Sequence, residues 1–268
     1  MRIAPALPRL IAAPEPLRRW PSGVATLDAA LGGGFAYGRL HEIHAGEVGD
    51  AGAAAGFAAA IGTGMAVGGG TGSGGSGGQR PILWLRTRAA AAKAGVLSAQ
   101  GWAELGGRPD QALISILADD CALLQAAVDA LRSRAVGAVL VESWGVMRAW
   151  DLTTSRRLAL AAERTGVPLL LLFSDAAPVP SAVQTRWQVA AAPSQALAAA
   201  APGLPRFDVA LLRQRSGPSG LDWRLEWNRD QLAFCDAAHA GAVVPVSARR
   251  PATDQRRGAV SATGRRAA

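Results

Sequence analysis

The chain of 268 residues contains one lysine, Lys93, among 28 basic residues. Arginine therefore carries nearly all of the positive charge, and chemistry that depends on a lysine has one residue to draw on. Cysteine is scarce too. Cys121 and Cys235 lie in apolar segments and form neither a disulfide framework nor, with His41, His44 and His239, a metal-ligand set. Both are expected as buried thiols in a reducing compartment. Charged residues make up only 18% and hydrophobic ones 50%, which excludes a chain disordered throughout. The most apolar run, Val167 to Phe173, is far short of a membrane span. The start is broken by prolines and Arg9, a poor secretory signal. A soluble cytoplasmic protein with no membrane contact is expected. No nucleophile elbow, catalytic triad or zinc motif is present, and no cofactor is expected.

What is present begins with a glycine-rich entry. Ser22-Gly23, Leu27-Asp28, Ala30-Leu31-Gly32-Gly33-Gly34, Gly38-Arg39 and Glu42-Ile43 lead toward the place where a phosphate loop should stand. Such a loop reads G-x-x-x-x-G-K-[S/T]; its lysine reaches the β- and γ-phosphates and its hydroxyl holds Mg²⁺. The chain instead offers Gly46, Glu47, Gly49, Asp50 and Gly52, with no register giving the lysine or the hydroxyl. Glu47 and Asp50 also place acids where a phosphate cradle needs bare N–H groups. The strand Pro81–Leu85 runs into Arg86-Thr87-Arg88, and no acid lies between Asp50 and Glu104 to activate a water. Glu142, ending the apolar run Ala138–Val141, stands where a Walker B acid would, able to bind Mg²⁺ through water or to act as a cap or ion-pair partner. Losing one such group costs on the order of 10²–10³ in rate, so the chain is expected not to be an enzyme.

The organisation follows from periodicity and breakers. Residues 1–19 form a proline-rich arm, 20–235 a core, and 236–268 a basic tail. Gly/Ser composition over 68–78 predicts a surface loop within the core. Helices are predicted from Ser22 as N-cap to Leu31, over Ala53–Val67, from Asp119 or Asp120 to about Ser133, and from Thr153 or Thr154 to Gly166. Strands are predicted at Arg39–His44, Pro81–Leu85, Ala138–Glu142 and Val167–Ser174, the last at the sheet centre. Alternating strands and helices give a mostly parallel sheet with flanking helices. Phe207–Gln214 and Leu221–Asn228 then read as a terminal antiparallel hairpin.

Two regions point to nucleic acid. In Asp175–Ala192, Arg186 and Trp187 pair a charge with a stacking ring, although Trp187-Gln188-Val189 equally reads as a strand start. In the tail, Arg249, Arg250, Arg256, Arg257, Arg265 and Arg266 face one acid, Asp254, and account for most of the net charge of +8. That composition suits phosphate contact or an acidic partner surface. Arg86 or Arg88 could meet a phosphate, but the two read first as an exposed arginine pair. Trp144 and Trp150, flanking Val146 and Met147, read either as a contact patch or as core.

This order of parts resembles the RecA core over residues 20–230. More narrowly, the degenerate loop, the segment Pro180-Ser181-Ala182-Val183-Gln184-Thr185-Arg186-Trp187-Gln188-Val189 and the ending Trp223-Arg224-Leu225-Glu226-Trp227-Asn228 resemble the ImuA family, RecA-like accessories of damage-inducible mutagenesis. The resemblance implies an α/β, RecA-like fold of the phosphate-loop NTPase type that has lost its ATPase. It implies partnership with an ImuB-like protein, an inactive Y-family polymerase relative that contacts the sliding clamp. It further implies an error-prone replicative-type polymerase as third member. RecA as a partner, DNA through the basic tail and association with the nucleoid when induced are expected beside it. A DNA-dependent ATPase with an atypical phosphate site and a SulA-type cell-division inhibitor are the alternative readings.

Overall fold

The computed structural model describes residues 17–69, 80–197, 201 and 203–237. The expectations for arm residues 1–16, most of the Gly/Ser loop, His239 and all six tail arginines lie outside the described residues.

In chain order the strands are β1 (Arg19–Trp20), β2 (Phe35–Ala36), β3 (Leu40–Ala45), β4 (Ile82–Thr87), β5 (Ala112–Leu117) and β6 (Ala138–Trp144). They continue with β7 (Leu169–Ser174), β8 (Thr185–Ala191), β9 (Arg206–Gln214), β10 (Leu221–Asn228) and β11 (Ala233–Asp236). The helices are α1 (Ala25–Leu31), α2 (Ala51–Gly68), α3 (Arg88–Ala94), α4 (Ala99–Glu104), α5 (Asp120–Ser133) and α6 (Leu152–Thr165). One sheet holds nine strands in the order β11-β10-β9-β8-β3-β7-β6-β4-β5. The six from β8 to β5 are parallel, and β9, β10 and β11 add on antiparallel. The end of the proline-rich arm is thus a strand. β1 pairs with β2, and Arg19 donates to the carbonyls of Leu31 and Gly34.

Alternation along the central strands assigns the two faces. Leu140, Leu170 and Leu172 point to a core shared with α1, α2 and α4. Val139, Val141, Leu169 and Leu171 point to a second core beneath α5 and α6. Val48–Gly68, containing α2, is long and apolar enough to cross a membrane by length and composition alone, yet it lies mostly buried on the sheet. Gly64 permits that packing, because a Cβ there would stand 2.1 Å from Cζ2 of Trp20.

Several caps differ from expectation. Helix α1 starts after Val24, while Ser22 Oγ accepts from the Val24 N–H and the Asp28 carboxylate accepts from Ser22 N–H. Asp119 caps α5 as expected, but Asp151, not a threonine, caps α6 by accepting from Thr154 N–H at 2.7 Å. A carboxylate is the stronger acceptor and lies two to three residues earlier. Cys121 is exposed, contrary to expectation, because it sits on the outer side of the first turn of α5; Cys235 is half-buried. Trp150 is core filling and donates to Glu42, while Val146 is exposed.

A hydrogen-bonded chain ties β3 to β8. Trp187 Nε1–H donates to Thr185 Oγ1 at 2.8 Å, and Thr185 Oγ1 lies 2.7 Å from His41 Nδ1. His41 Nε2 lies 3.0 Å from the Ala36 carbonyl, which can only accept, so Nε2 carries the proton and Nδ1 accepts from Thr185. Burial lowers the His41 pKa to about 4. In the unfolded chain it titrates near its ordinary 6.5. Between those values the unfolded state binds the extra proton, so stability falls as pH drops from about 6.5 toward 4, by about 3 kcal/mol at the limit. Urea unfolding at pH 7 and pH 5 should show this loss, and His41→Gln should flatten the difference.

Candidate functional site

In an open parallel sheet, ligands bind beyond the carboxyl ends of the strands. Here that edge is formed by the loop after β3, the ends of β4 and β6, and Asp175 after β7. Asp175 has φ +57°, a left-handed conformation that aspartate tolerates.

The loop after β3 is not an anion nest. A nest needs alternating right- and left-handed residues, and none of Gly46, Gly49 and Gly52 has positive φ. Residues Val48–Asp50 instead form a 3-10 turn running into α2. Four of its N–H donors are engaged within the protein. Gly46 N–H donates to Val189 O at 2.8 Å, and Ala51 N–H to Val48 O. Glu47 N–H donates to Asp50 Oδ2 at 3.1 Å, and the Glu47 side chain accepts from Asp50 N–H in return. Asp50 Oδ1 also accepts from Ala191 N–H at 2.9 Å, joining the loop to β8. The two acids therefore act as the loop's own anions. A phosphate seeking the Glu47 and Asp50 donors would have to displace them, and at this loop it would sit beside two carboxylates, each repelling it by about 1–4 kcal/mol at 4 Å, depending on the dielectric.

Glu142 is 2% exposed near the end of β6, and its carboxylate is engaged. Arg86 lies directly across in the parallel register of β4 and β6. Its Nε and Nη2 donate to the two Glu142 oxygens at 2.8 and 2.9 Å, a bidentate pair. Trp84 Nε1–H donates to the same carboxylate at 2.9 Å. Arg86 Nη1 donates to Gly95 O at 2.7 Å, tying down the turn after α3. The expectation of an exposed Arg86–Arg88 pair is corrected accordingly: Arg88 is exposed, but Arg86 is 2% exposed and is Glu142's counter-ion. Three of the roughly four lone-pair sites of the Glu142 carboxylate are thus filled, two on Oε2 and one on Oε1. A cavity of about 530 Å³ does remain beside it, lined in part by Gly52, Lys93, Trp144 and Asp175. The lone lysine thus faces the cavity from α3, not from the loop.

On the opposite face a second pair repeats the motif. Glu42 on β3 is paired with Arg186 on β8, its register neighbour. Glu42 also accepts from Trp150 Nε1 at 3.0 Å and Ser181 Oγ at 2.7 Å, with His44 Nε2 at 3.5 Å. Burial alone pushes the Glu42 carboxyl up, but the nearby His44 ring, the Arg186 guanidinium and the Ser181 hydroxyl outweigh it and hold the group below its ordinary value. The expectation of DNA contact through Arg186 and Trp187 is corrected here. Arg186 is buried against Glu42, and Trp187 is 0% exposed, packed among Phe35, Phe57 and Trp223. Strand alternation sends the two side chains to opposite faces, so they cannot form one charge-plus-stacking site.

The segments that carry the ImuA resemblance have structural roles. Ser181, Thr185, Arg186 and Trp187 belong to these buried networks. Arg224 pairs with Asp208 at 2.7 Å, and Trp227 Nε1–H donates to Leu105 O at 3.0 Å.

No family model matches the chain, and no curated protein matches it. Among solved structures it is similar to one titled as the RadB recombinase, with a TM-score of 0.51 and 13% identity over 81% of this chain and 99% of that one. The nine-stranded, mostly parallel sheet with flanking helices and an antiparallel C-terminal hairpin is a RecA-like fold.

Proposed function

We propose that this protein is a non-catalytic RecA-like scaffold of an inducible translesion-synthesis complex, working in the cytoplasm beside an ImuB-like protein. The observation that carries the non-catalytic part is the engaged Glu142: its carboxylate is neutralised by Arg86 and accepts a third hydrogen bond from Trp84, where an ATPase would keep the acid for Mg²⁺. The internally bonded N–H groups of Gly46, Glu47 and Asp50 support the same reading. The choice of partner rests on the resemblance of Pro180–Val189 and Trp223–Asn228 to the ImuA family. An error-prone polymerase and RecA are further proposed partners, and DNA contact is assigned to the tail arginines, not to Arg186 and Trp187.

Calorimetric titration with Mg-ATP and a non-hydrolysable analogue should give no heat at millimolar nucleotide. Binding would favour the atypical-ATPase reading, with Lys93 the first residue to change because it lines the remaining cavity. The scaffold role is tested separately. The protein should co-purify with the ImuB-like protein of its own source, and its deletion should lower damage-induced mutagenesis. Failure of both would sink the proposal.

A further inference from the structure

We infer that the groove between α5 and α6 is a docking site for a short amphipathic helix with acidic flanks, contributed by a protein partner. The groove is a cavity of about 540 Å³ on the outer side of the second core and shares no lining residue with the cavity beside Glu142. Its floor is apolar, built from Leu124, Val128, Leu158 and Ala161. Its wall includes Leu160, which is 59% exposed and also borders a second groove on the other flank of α6. A leucine left this exposed between two grooves needs a partner surface more than an isolated one would.

The rim is arginine. Arg157 and Arg164 flank Leu160 and Ala161 on one helix face, at spacings of three, four and seven residues. They stand about 10 Å apart along the axis. Among the described residues neither has an ion-pair partner, whereas Arg132 across the groove is paired with Asp129. Arg134 adds a further cation, reaching the Arg164 carbonyl at 3.1 Å.

This pattern selects its occupant. A helix with apolar residues at i, i+3, i+4 and i+7 fills the floor, and acids beside that stripe meet the arginines two turns apart. The apolar floor disfavours a nucleic-acid backbone, which would gain from the rim alone. Charge disfavours the chain's own tail, with six arginines against one acid, and a second copy with net charge +8. The floor supplies most of the affinity, while the exposed arginines contribute selectivity and on-rate. The inference rests on the scaffold reading only in that a scaffold needs a docking face.

The test uses the full chain and a capped helical peptide of about 18 residues, long enough to be helical. It carries a leucine/phenylalanine stripe flanked by glutamates; a second peptide replaces every glutamate by lysine. Fluorescence anisotropy should show the glutamate peptide binding with a Kd on the order of 10–100 μM and more weakly in high salt. The charge reversal R157E/R164E should weaken it about tenfold. Gln125→Trp, a change at an exposed position lining the groove, should block it without touching the core. No binding at millimolar protein, equal binding of the lysine peptide, or binding unmoved by both variants overturns the proposal. Displacement of the peptide by oligothymidylate also overturns it, in favour of nucleic acid. The assay contains no polymerase relative, so its failure leaves the ImuB reading standing.

Discussion

Replacing Arg86 by methionine should destabilise the protein by about 3–5 kcal/mol, read by urea denaturation at neutral pH. The substitution keeps most of the volume and removes the charge. Glu142 would then hold one donor, Trp84 Nε1, in a site where it is 2% exposed. An uncompensated buried carboxylate must either bind a proton or draw in water, and both cost stability. The Arg86 bond to Gly95 O would be lost as well. The double variant R86M/E142L should recover most of the loss, because replacing a buried ion pair by packed apolar groups is often neutral or stabilising. The cycle separates two accounts of Glu142. A structural pair gives a large single-mutant loss and a near-neutral double. An acid held open for a metal gives a small loss for Arg86→Met, since nothing buried depends on the arginine. A loss under about 1 kcal/mol would reopen the ATPase reading.

The sheet was readable because its central strands are unambiguous. Ala138–Glu142 and Val167–Ser174 are buried on both faces, as expected for a parallel core. The β9–β10 hairpin was readable from alternation and its Ser-Gly-Pro-Ser-Gly turn. Strand β5 is not legible in the sequence because it is an edge: Leu113, Ile114 and Ile116 are exposed, so its apolar residues follow no burial alternation. The missing lysine and hydroxyl were plain in the sequence, since an absence needs no coordinates. The role of Arg86 was not. It lies 56 residues from Glu142, and only the parallel register of β4 and β6 sets the two side by side. The same holds for Glu42 and Arg186, 144 residues apart. Short-range patterning finds elements, whereas cross-strand partners depend on which strands become neighbours.

Trp187→Ala should cost about 3–5 kcal/mol, and the more conservative Trp187→Phe about 1–2 kcal/mol. The indole is completely buried in the middle of the aromatic core, with ring centroids 5.5 Å from Phe35, 6.2 Å from Phe57 and 6.1 Å from Trp223. Alanine leaves a cavity between sheet and α2 that a close-packed core closes only in part. Phenylalanine fills most of it but drops the N–H bond to Thr185, loosening the chain that fixes His41. A DNA-stacking residue would behave otherwise. Its removal would leave stability unchanged and weaken single-strand binding by about 1–3 kcal/mol. Chemical denaturation and oligonucleotide binding, measured on the same variants well below their unfolding midpoints, therefore separate the two roles. Wild-type stability in Trp187→Ala together with reduced DNA affinity would return this residue to the DNA-binding reading. The expected result, lost stability with DNA affinity intact in the folded fraction, makes Trp187 a determinant of the fold. Arg186 beside it points to the other face and is held by Glu42, so its loss should likewise appear as instability. Any nucleic-acid contact would then have to come from other cations.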